Sequence, residues 1–155
     1  GMAIANRLDG NDHRIYTLLG DGECQEGQVW EAAMAAAHYK LDNLCIIVDI
    51  NGLQIDGRTC DVMNTEPVDA KFAAFGCDVV KVNGHDFQEL EDAFAKFHAN
   101  HGTGKPTAIL MNTTKGKGVS YMENQAGGHG KAPNDQEYEQ AMGELKAQLA
   151  EVEGM

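Results

Sequence analysis

The segment LCIIVDI at residues 44–50 is the feature that most constrains the fold of this chain. It is apolar except for one aspartate. A strand that faces water on one side alternates apolar and polar residues, whereas a strand covered on both faces is apolar almost throughout. The segment therefore predicts a strand inside a parallel sheet, with other elements packed on both of its faces.

Strand-like and helix-like segments alternate along the rest of the chain. Further strands are predicted at 14–20, 77–84 and 106–114, and helices at 2–8, 26–40, 67–75, 86–100 and 135–151. Within helix 86–100 a single apolar stripe is predicted, formed by Phe87, Leu90, Phe94 and Phe97. The alternation predicts an α/β fold, a parallel sheet with helices on both faces. We expect one domain over residues 1–151 and a tail at 152–155.

Composition excludes several kinds of function. The chain has 12 basic and 24 acidic residues and a formal net charge of −12, which argues against a nucleic-acid partner, because such a partner requires a basic surface. No segment approaches the roughly 20 apolar residues of a membrane span. The four cysteines occur singly, without a CxxC pair, and are predicted to be buried free thiols, as suits the reducing cytoplasm.

Polar, glycine-rich sequence follows three of the four predicted strands, in the segments GDGE, NGLQIDG and TTKGKG. Ligands of parallel α/β sheets bind beyond the carboxyl ends of the strands. The first segment is not a Walker A loop, because Gln28 follows Gly27 where that loop requires lysine. It also lacks the third glycine of a dinucleotide fingerprint, since residue 25 is Gln.

A divalent cation can hold a diphosphate without a lysine. Magnesium takes oxygen ligands and usually only one or two carboxylates. Asp21 ends the first strand, and Asn51 ends the next strand thirty positions later. We therefore predict metal ligation by Asp21, by the amide oxygen of Asn51 and by the backbone carbonyl of Leu53. Gly22 would let backbone amides approach the diphosphate. A GDG turn without a ligand remains the alternative at this point.

Four motifs in order make the chain resemble the transketolase family, from about Met2 to Leu145. They are GDGECQEGQVWEAAMAAAHYKLDNL, VDINGLQIDG, TTKGKGVSYMENQ and GHGKAPND. The resemblance implies the thiamine diphosphate-binding fold, namely the diphosphate-binding domain in an N-terminally incomplete form. It also implies thiamine diphosphate and Mg²⁺ (or Ca²⁺) as cofactors.

The same resemblance assigns roles to single residues. Asp21, Asn51 and the carbonyl of Leu53 match the metal ligands, and the diphosphate is expected along Gly20, Gly22 and Glu23. Two further residues are expected to take part in catalysis: Glu26 in a carboxylate link between cofactor sites at the subunit interface, and His129 in proton transfers near the diphosphate and substrate. Lys115 matches a residue that contacts the cofactor.

The implied activity is transfer of a two-carbon ketol unit from a ketose phosphate to an aldose phosphate, as in the pentose phosphate pathway. The pyrimidine-binding half of such an enzyme is expected as a separate subunit or domain, in a homodimer or heterotetramer, and this chain alone is expected to be inactive. A deoxyxylulose phosphate synthase-like enzyme is the nearest alternative, although ECQEGQVWEA after GDG is typical of transketolases. The other alternative is a noncatalytic remnant that only associates with a partner.

Overall fold

The computed structural model of the protein describes residues 1–154. Its helices are α1 (Met2–Leu8), α2 (Gly27–His38), α3 (Thr59–Val62), α4 (Val68–Ala74), α5 (Phe87–Ala99) and α6 (Asp135–Glu153). Its strands are β1 (Ile15–Gly20), β2 (Leu44–Ile50), β3 (Leu53–Gln54), β4 (Gly57–Arg58), β5 (Asp78–Asn83) and β6 (Thr107–Asn112). Each of the four strands and five helices predicted from the sequence is present, with bounds that differ by a few residues at most.

Four strands form one parallel sheet in the order β1-β2-β6-β5. Val48 of β2 lies beside Leu19 of β1 on one side and beside Leu110 of β6 on the other. All four carboxyl ends consequently meet at one edge of the sheet, which is where a ligand of this architecture binds. The segments GDGE, NGLQIDG and TTKGKG leave the sheet at that edge.

Helices cover both faces of the sheet, as predicted. On one face Trp30 of α2 and Phe72 of α4 pack over Val48 and Leu110. On the opposite face α5 packs over the neighbouring residues of the same strands, with Phe97 buried beside Cys45, Ile109 and Val80. The apolar run 44–50 is thus covered on both faces of the sheet, as its almost entirely apolar composition predicts.

Four local elements were not predicted. A 3₁₀ turn (Glu23–Gln25) separates GDG from α2, so the helix begins only at Gly27. The turn-rich segment after β2 contains the antiparallel hairpin β3–β4 and the single-turn helix α3. A second 3₁₀ turn (Ala126–Gly128) lies just before His129. Each is too short to produce a hydrophobic period that a sequence would reveal.

The predicted stripe of α5 fails at its first residue. Phe87 is 88% exposed, whereas Leu90, Phe94 and Phe97 contribute to the packing of α5 on the sheet. Asp86 caps the helix by accepting the backbone N–H groups of Gln88 and Glu89. Phe87 is therefore the first residue of α5, directly after its cap, and does not pack on the sheet.

The prediction for the cysteines is correct at three positions and wrong at one. Cys24, Cys45 and Cys77 are buried free thiols, and burial raises the pKa of the Cys24 and Cys77 thiols to about 11, which keeps them protonated and unreactive. Cys60 is exposed, because α3 is a single turn at the surface with only Thr59 buried.

Helix α6 continues two residues beyond its predicted end, to Glu153. The expected tail at 152–155 thus begins inside the helix, and Met155 lies outside the described residues. The division into a domain at 1–151 and a tail stays a prediction. Among residues 1–154, no helix combines the length and apolar character that crossing a membrane requires.

Candidate functional site

Asp21 is a buried carboxylate directly after β1, with 3% of its surface exposed. Its Oδ1 accepts the N–H of Gly22 at 3.0 Å, and its Oδ2 accepts the N–H of Gly52 at 2.8 Å. The Thr59 hydroxyl also donates to Oδ2, at 3.4 Å. The bond from Gly52 joins the turn after β1 to the turn after β2, as the shared edge of the parallel strands predicts.

No cationic side chain of the described residues forms an ion pair with this carboxylate. The two ion pairs found among residues 1–154 are Lys81–Asp69 and Lys131–Glu137, and neither includes Asp21. Burial raises the pKa of Asp21, and the neighbouring Asp49 carboxylate raises it further. A buried carboxylate that has hydrogen bonds but no cationic partner still costs free energy, so this position favours a bound cation.

Asn51 and Leu53 lie in the turn that Gly52 ties to Asp21. Asn51 donates its amide Nδ2–H to Asp49 Oδ2 at 3.0 Å, and its Oδ1 accepts the N–H of Leu53 at 3.0 Å. The Leu53 carbonyl oxygen faces the GDG turn, 3.8 Å from where a Cβ on Gly22 would stand. The structure thus places the three predicted metal-binding residues in two adjoining turns.

These groups are a suitable donor set for magnesium or calcium. They are one carboxylate, one amide oxygen and one backbone carbonyl, all hard oxygen ligands. Among the described residues, no three His, Cys, Asp or Glu side chains cluster in a way that could hold a metal. A soft-metal site of nitrogen or sulfur ligands is therefore not found in this part of the chain, and the oxygen set at the sheet edge is the candidate.

Gly22 is required for a reason that the sequence did not reveal. A Cβ at this position would stand 2.7 Å from the Cβ of Gln54 and 3.6 Å from its Cα. The predicted close approach was that of a diphosphate to the backbone, and it remains untested. The observed close approach is that of hairpin strand β3, which places the Leu53 carbonyl beside Gly22.

Gly22→Ala should lower the free energy of unfolding by about 1–3 kcal/mol, the usual penalty for overpacking. Gly27→Ala is the matched control, because a Cβ at the start of α2 meets nothing within 4 Å, and we expect it to be neutral or stabilising by up to about 1 kcal/mol. Denaturant unfolding measures both. Equal stability of the two variants would show that β3 does not pack on Gly22.

Gly20 and Glu23, two expected diphosphate contacts, bond to each other. The N–H of Gly20 donates to Glu23 Oε2 at 2.7 Å, which closes the GDG turn onto the end of β1. The backbone amide of Gly20 is therefore already satisfied. The N–H of Asp21 donates to the Asp49 carbonyl and that of Gly22 to Asp21 Oδ1. An amide that contacts an anion here must therefore lie beyond Gly22.

Glu26 is exposed at the residue that precedes α2. It lines a cavity of about 300 Å³ together with Glu23, Thr17, Leu19 and Val29, next to the outer strand β1. An exposed carboxylate beside a sheet edge is accessible to another protein chain. The predicted interface role is consistent with this position and stays a prediction.

Lys115 and His129 lie next to each other at the end of β6. The Nζ of Lys115 is 3.3 Å from Nδ1 of His129, and the Lys115 carbonyl accepts the N–H of Asn124 at 2.9 Å. An ammonium group has only donors, so Nδ1 of His129 accepts in this contact and the ring proton lies on Nε2. His129 is exposed and can present that proton to a ligand.

The residues that link the candidate metal ligands to Lys115 and His129 were missed in the sequence. Thr113 Oγ1 donates to Asp49 Oδ1, while Asp49 Oδ2 accepts from Asn51. Asp49 and Thr113 therefore connect the candidate metal ligands to the segment that carries Lys115. Polar residues at the ends of two adjacent strands were the available signal, but which pairs would form depended on the strand register.

A cavity of about 460 Å³ adjoins the candidate metal ligands. Asn51 and Leu53 contribute to its wall, and the remaining lining residues are Gly52, Arg58, Thr59, Cys60 and Asn124. Arg58 supplies a positive charge at the wall, and Asn124 comes from the turn that follows Lys115. The candidate metal ligands therefore adjoin an open space that reaches the turn following Lys115.

The chain is similar to known transketolases over most of its length. Residues 4–150 match the family described as "Transketolase, thiamine diphosphate binding domain". One of the subunits of the apulose-4-phosphate transketolase of Actinobacillus succinogenes is 46% identical over 146 residues, which cover 94% of this chain and 52% of that protein. The SqwG subunit of the 6-deoxy-6-sulfo-D-fructose transketolase of a Clostridium species is 41% identical over 150 residues, 97% of this chain and 54% of that protein.

Solved structures agree with these relatives. The transketolase of Campylobacter jejuni superimposes with a TM-score of 0.79 at 35% identity, over 90% of this chain and 22% of that one. The match confirms the predicted parallel α/β architecture. The chain spans about half the length of the curated apulose-4-phosphate transketolase subunits that it matches.

Proposed function

Because the chain belongs to the transketolase family, we propose that it is the diphosphate- and metal-binding part of a two-subunit transketolase. The observation that carries this proposal is Asp21, a buried carboxylate outside both ion pairs of residues 1–154 and bonded to the turn that holds Asn51 and Leu53. A bound Mg²⁺ would supply the compensating positive charge. Calcium is the alternative cation, since the ligands are equally suited to it.

The proposed reaction transfers a two-carbon ketol unit between sugars. Thiamine diphosphate, when bound, supplies the chemistry that breaks and forms the carbon–carbon bond. Asp21, Asn51 and the Leu53 carbonyl would hold the metal, and the diphosphate would lie along Gly20, Gly22 and Glu23. His129 would donate its Nε2 proton to a sugar oxygen, with Lys115 fixing the tautomer of the ring.

The substrates are proposed to be sugars that carry a phosphate or another anionic group. Two similar proteins are named for apulose 4-phosphate and for 6-deoxy-6-sulfo-D-fructose, which favours a transketolase over a deoxyxylulose phosphate synthase-like enzyme. The alternative substrates are the ketose phosphates and aldose phosphates of the pentose phosphate pathway. Arg58, at the wall of the cavity, is a candidate contact for the anionic group.

A partner subunit is proposed to complete the enzyme. The similar proteins are named as individual subunits of their transketolases, which supports a separate chain with the pyrimidine-binding half. Exposed Glu26 would face another chain in a homodimer or heterotetramer, and the protein alone would be inactive. Localisation in the cytoplasm stays a prediction based on the unpaired cysteines.

Calorimetric titration of the purified chain with thiamine diphosphate tests the proposal. We expect binding in the presence of Mg²⁺ and none after chelation of divalent cations, because the diphosphate would be held through the metal. Replacing Mg²⁺ by Ca²⁺ should preserve binding. Binding of equal strength with and without a divalent cation would contradict the proposed role of Asp21, and no binding by a chain that is folded by circular dichroism would contradict an autonomous site.

A further inference from the structure

His85 forms a hydrogen bond across the carboxyl edge of the sheet that none of the roles described above uses. It lies in the turn between β5 and α5, and its Nε2 accepts the backbone N–H of Thr114 at 2.8 Å. The two residues are 29 positions apart. Since Nε2 is the acceptor, the imidazole is neutral and carries its proton on Nδ1.

The turn that carries His85 is itself held against the end of β6. Asn83 Oδ1 accepts the N–H of His85 at 3.0 Å, and the N–H of Gly84 donates to the carbonyl of Asn112 at 2.8 Å. A Cβ on Gly84 would stand 2.5 Å from Cγ2 of Thr113. The imidazole is thus presented to Thr114 from a fixed position, although its surface is exposed.

Thr114 lies between the two groups of the candidate site. On one side, Thr113 donates its hydroxyl to Asp49, which in turn accepts from the candidate metal ligand Asn51. On the other side, Lys115 contacts His129. The N–H of Thr114 is therefore the point at which the segment between these groups is tied to the turn that follows β5.

We propose that His85 is a positioning residue for this site: its Nε2 fixes Thr114, so that Lys115 and His129 are held in register with the candidate metal ligands. The proposal rests on the proposed function for its catalytic meaning. Groups that orient the residues around a metal typically change affinity or activity by about 10–100-fold when removed. The hydrogen bond itself is independent of any ligand.

The test compares variants that remove the acceptor with one that restores it. His85→Phe and His85→Ala have no acceptor, whereas the Gln side chain in His85→Gln places an oxygen where Nε2 stood. His101→Phe is the control, because His101 is an exposed histidine at the opposite edge of the sheet, in the loop after α5. His85 is exposed, so these substitutions are expected to leave the unfolding midpoint unchanged.

Two ligand-free measurements decide the proposal. Amide hydrogen exchange at Thr114 should be about tenfold faster or more in His85→Phe and His85→Ala, because the N–H loses its protein acceptor, and should return to the wild-type rate in His85→Gln. The imidazole ¹⁵N signals of His129 should shift in the same two variants and return in His85→Gln. Unchanged exchange and unchanged His129 signals in both acceptor-less variants would overturn the proposal, as would failure of His85→Gln to restore them.

Titration with thiamine diphosphate and Mg²⁺ tests whether the hydrogen bond between His85 and Thr114 affects binding at the candidate site. We expect about tenfold weaker binding in His85→Phe, recovery to within about threefold in His85→Gln, and wild-type binding in His101→Phe. Wild-type affinity in His85→Phe despite faster Thr114 exchange would overturn the positioning role. If neither the wild-type chain nor any variant binds, the site is not autonomous, while Thr114 exchange and the His129 signals still test His85 separately.

Discussion

Asp21→Asn should weaken the Mg²⁺-dependent binding of thiamine diphosphate by about 100-fold or more. Loss of a group that only orients a metal ligand weakens binding by about 10–100-fold, and we expect loss of a ligand itself to cost at least as much. Asn has nearly the shape of Asp but no charge, so the variant removes the single carboxylate of the predicted ligand set. It also offers one acceptor oxygen to the N–H groups of Gly22 and Gly52, where Asp21 offers two. Calorimetric titration measures the loss.

Asp56→Asn is the matched control for this variant. Asp56 is an exposed residue of the turn between β3 and β4, and its substitution removes the same charge from the same side of the sheet. It should leave the affinity within about twofold, since an exposed charge is screened by solvent. Comparable losses in the two variants would mean that general electrostatics, rather than ligation by Asp21, governs binding.

Thermal unfolding provides a second measurement of the same prediction. A ligand at 100 times its Kd adds about 2.7 kcal/mol to the free energy of unfolding, which for a domain of this size raises Tm by about 5–10 °C. The wild-type chain and Asp56→Asn should show this rise with Mg²⁺ and thiamine diphosphate together. Asp21→Asn should show a rise of at most about 2 °C, because binding weakened 100-fold leaves the ligand near its Kd. A full rise in Asp21→Asn would refute metal ligation at this position.

Gly116→Ala should lower the free energy of unfolding by about 2–4 kcal/mol, through a strained backbone and a collision acting together. Gly116 has a φ of +74°, and a Cβ there would stand 2.5 Å from the carbonyl oxygen of Met122. Because that oxygen belongs to the backbone, the turn from 116 to 124 would have to move. Denaturant unfolding followed by the fluorescence of Trp30, the single tryptophan, measures the loss.

Gly130→Ala separates the two causes. Its φ of +73° is nearly the same, but a Cβ there meets nothing within 4 Å. We expect a loss of about 1–2 kcal/mol from the backbone conformation alone. A Gly116→Ala variant no less stable than Gly130→Ala would show that the turn between Lys115 and Asn124 is not packed as described.

Local sequence was enough to predict a strand or helix wherever a long apolar pattern is compatible with only one kind of structure. The apolar run 44–50 can be satisfied only by burial on both faces, and its alternation with helical segments then requires parallel strands with crossover helices. Parallel strands place their carboxyl ends together, so Asp21, Asn51 and Leu53 could be grouped from their positions after two strands. The helix of residues 87–99 was equally predictable from its apolar spacing, apart from the exposed Phe87.

The sequence by itself thus determined the sheet, its helical layers and the turns that carry the candidate metal ligands, because burial imposes a period on the chain. Tertiary structure alone decided which side chains meet across those turns. Gly22 against Gln54, Thr113 against Asp49 and His85 against Thr114 are pairs separated by tens of residues. Their contacts depend on strand register and on the path of short loops, and neither leaves a period in the sequence.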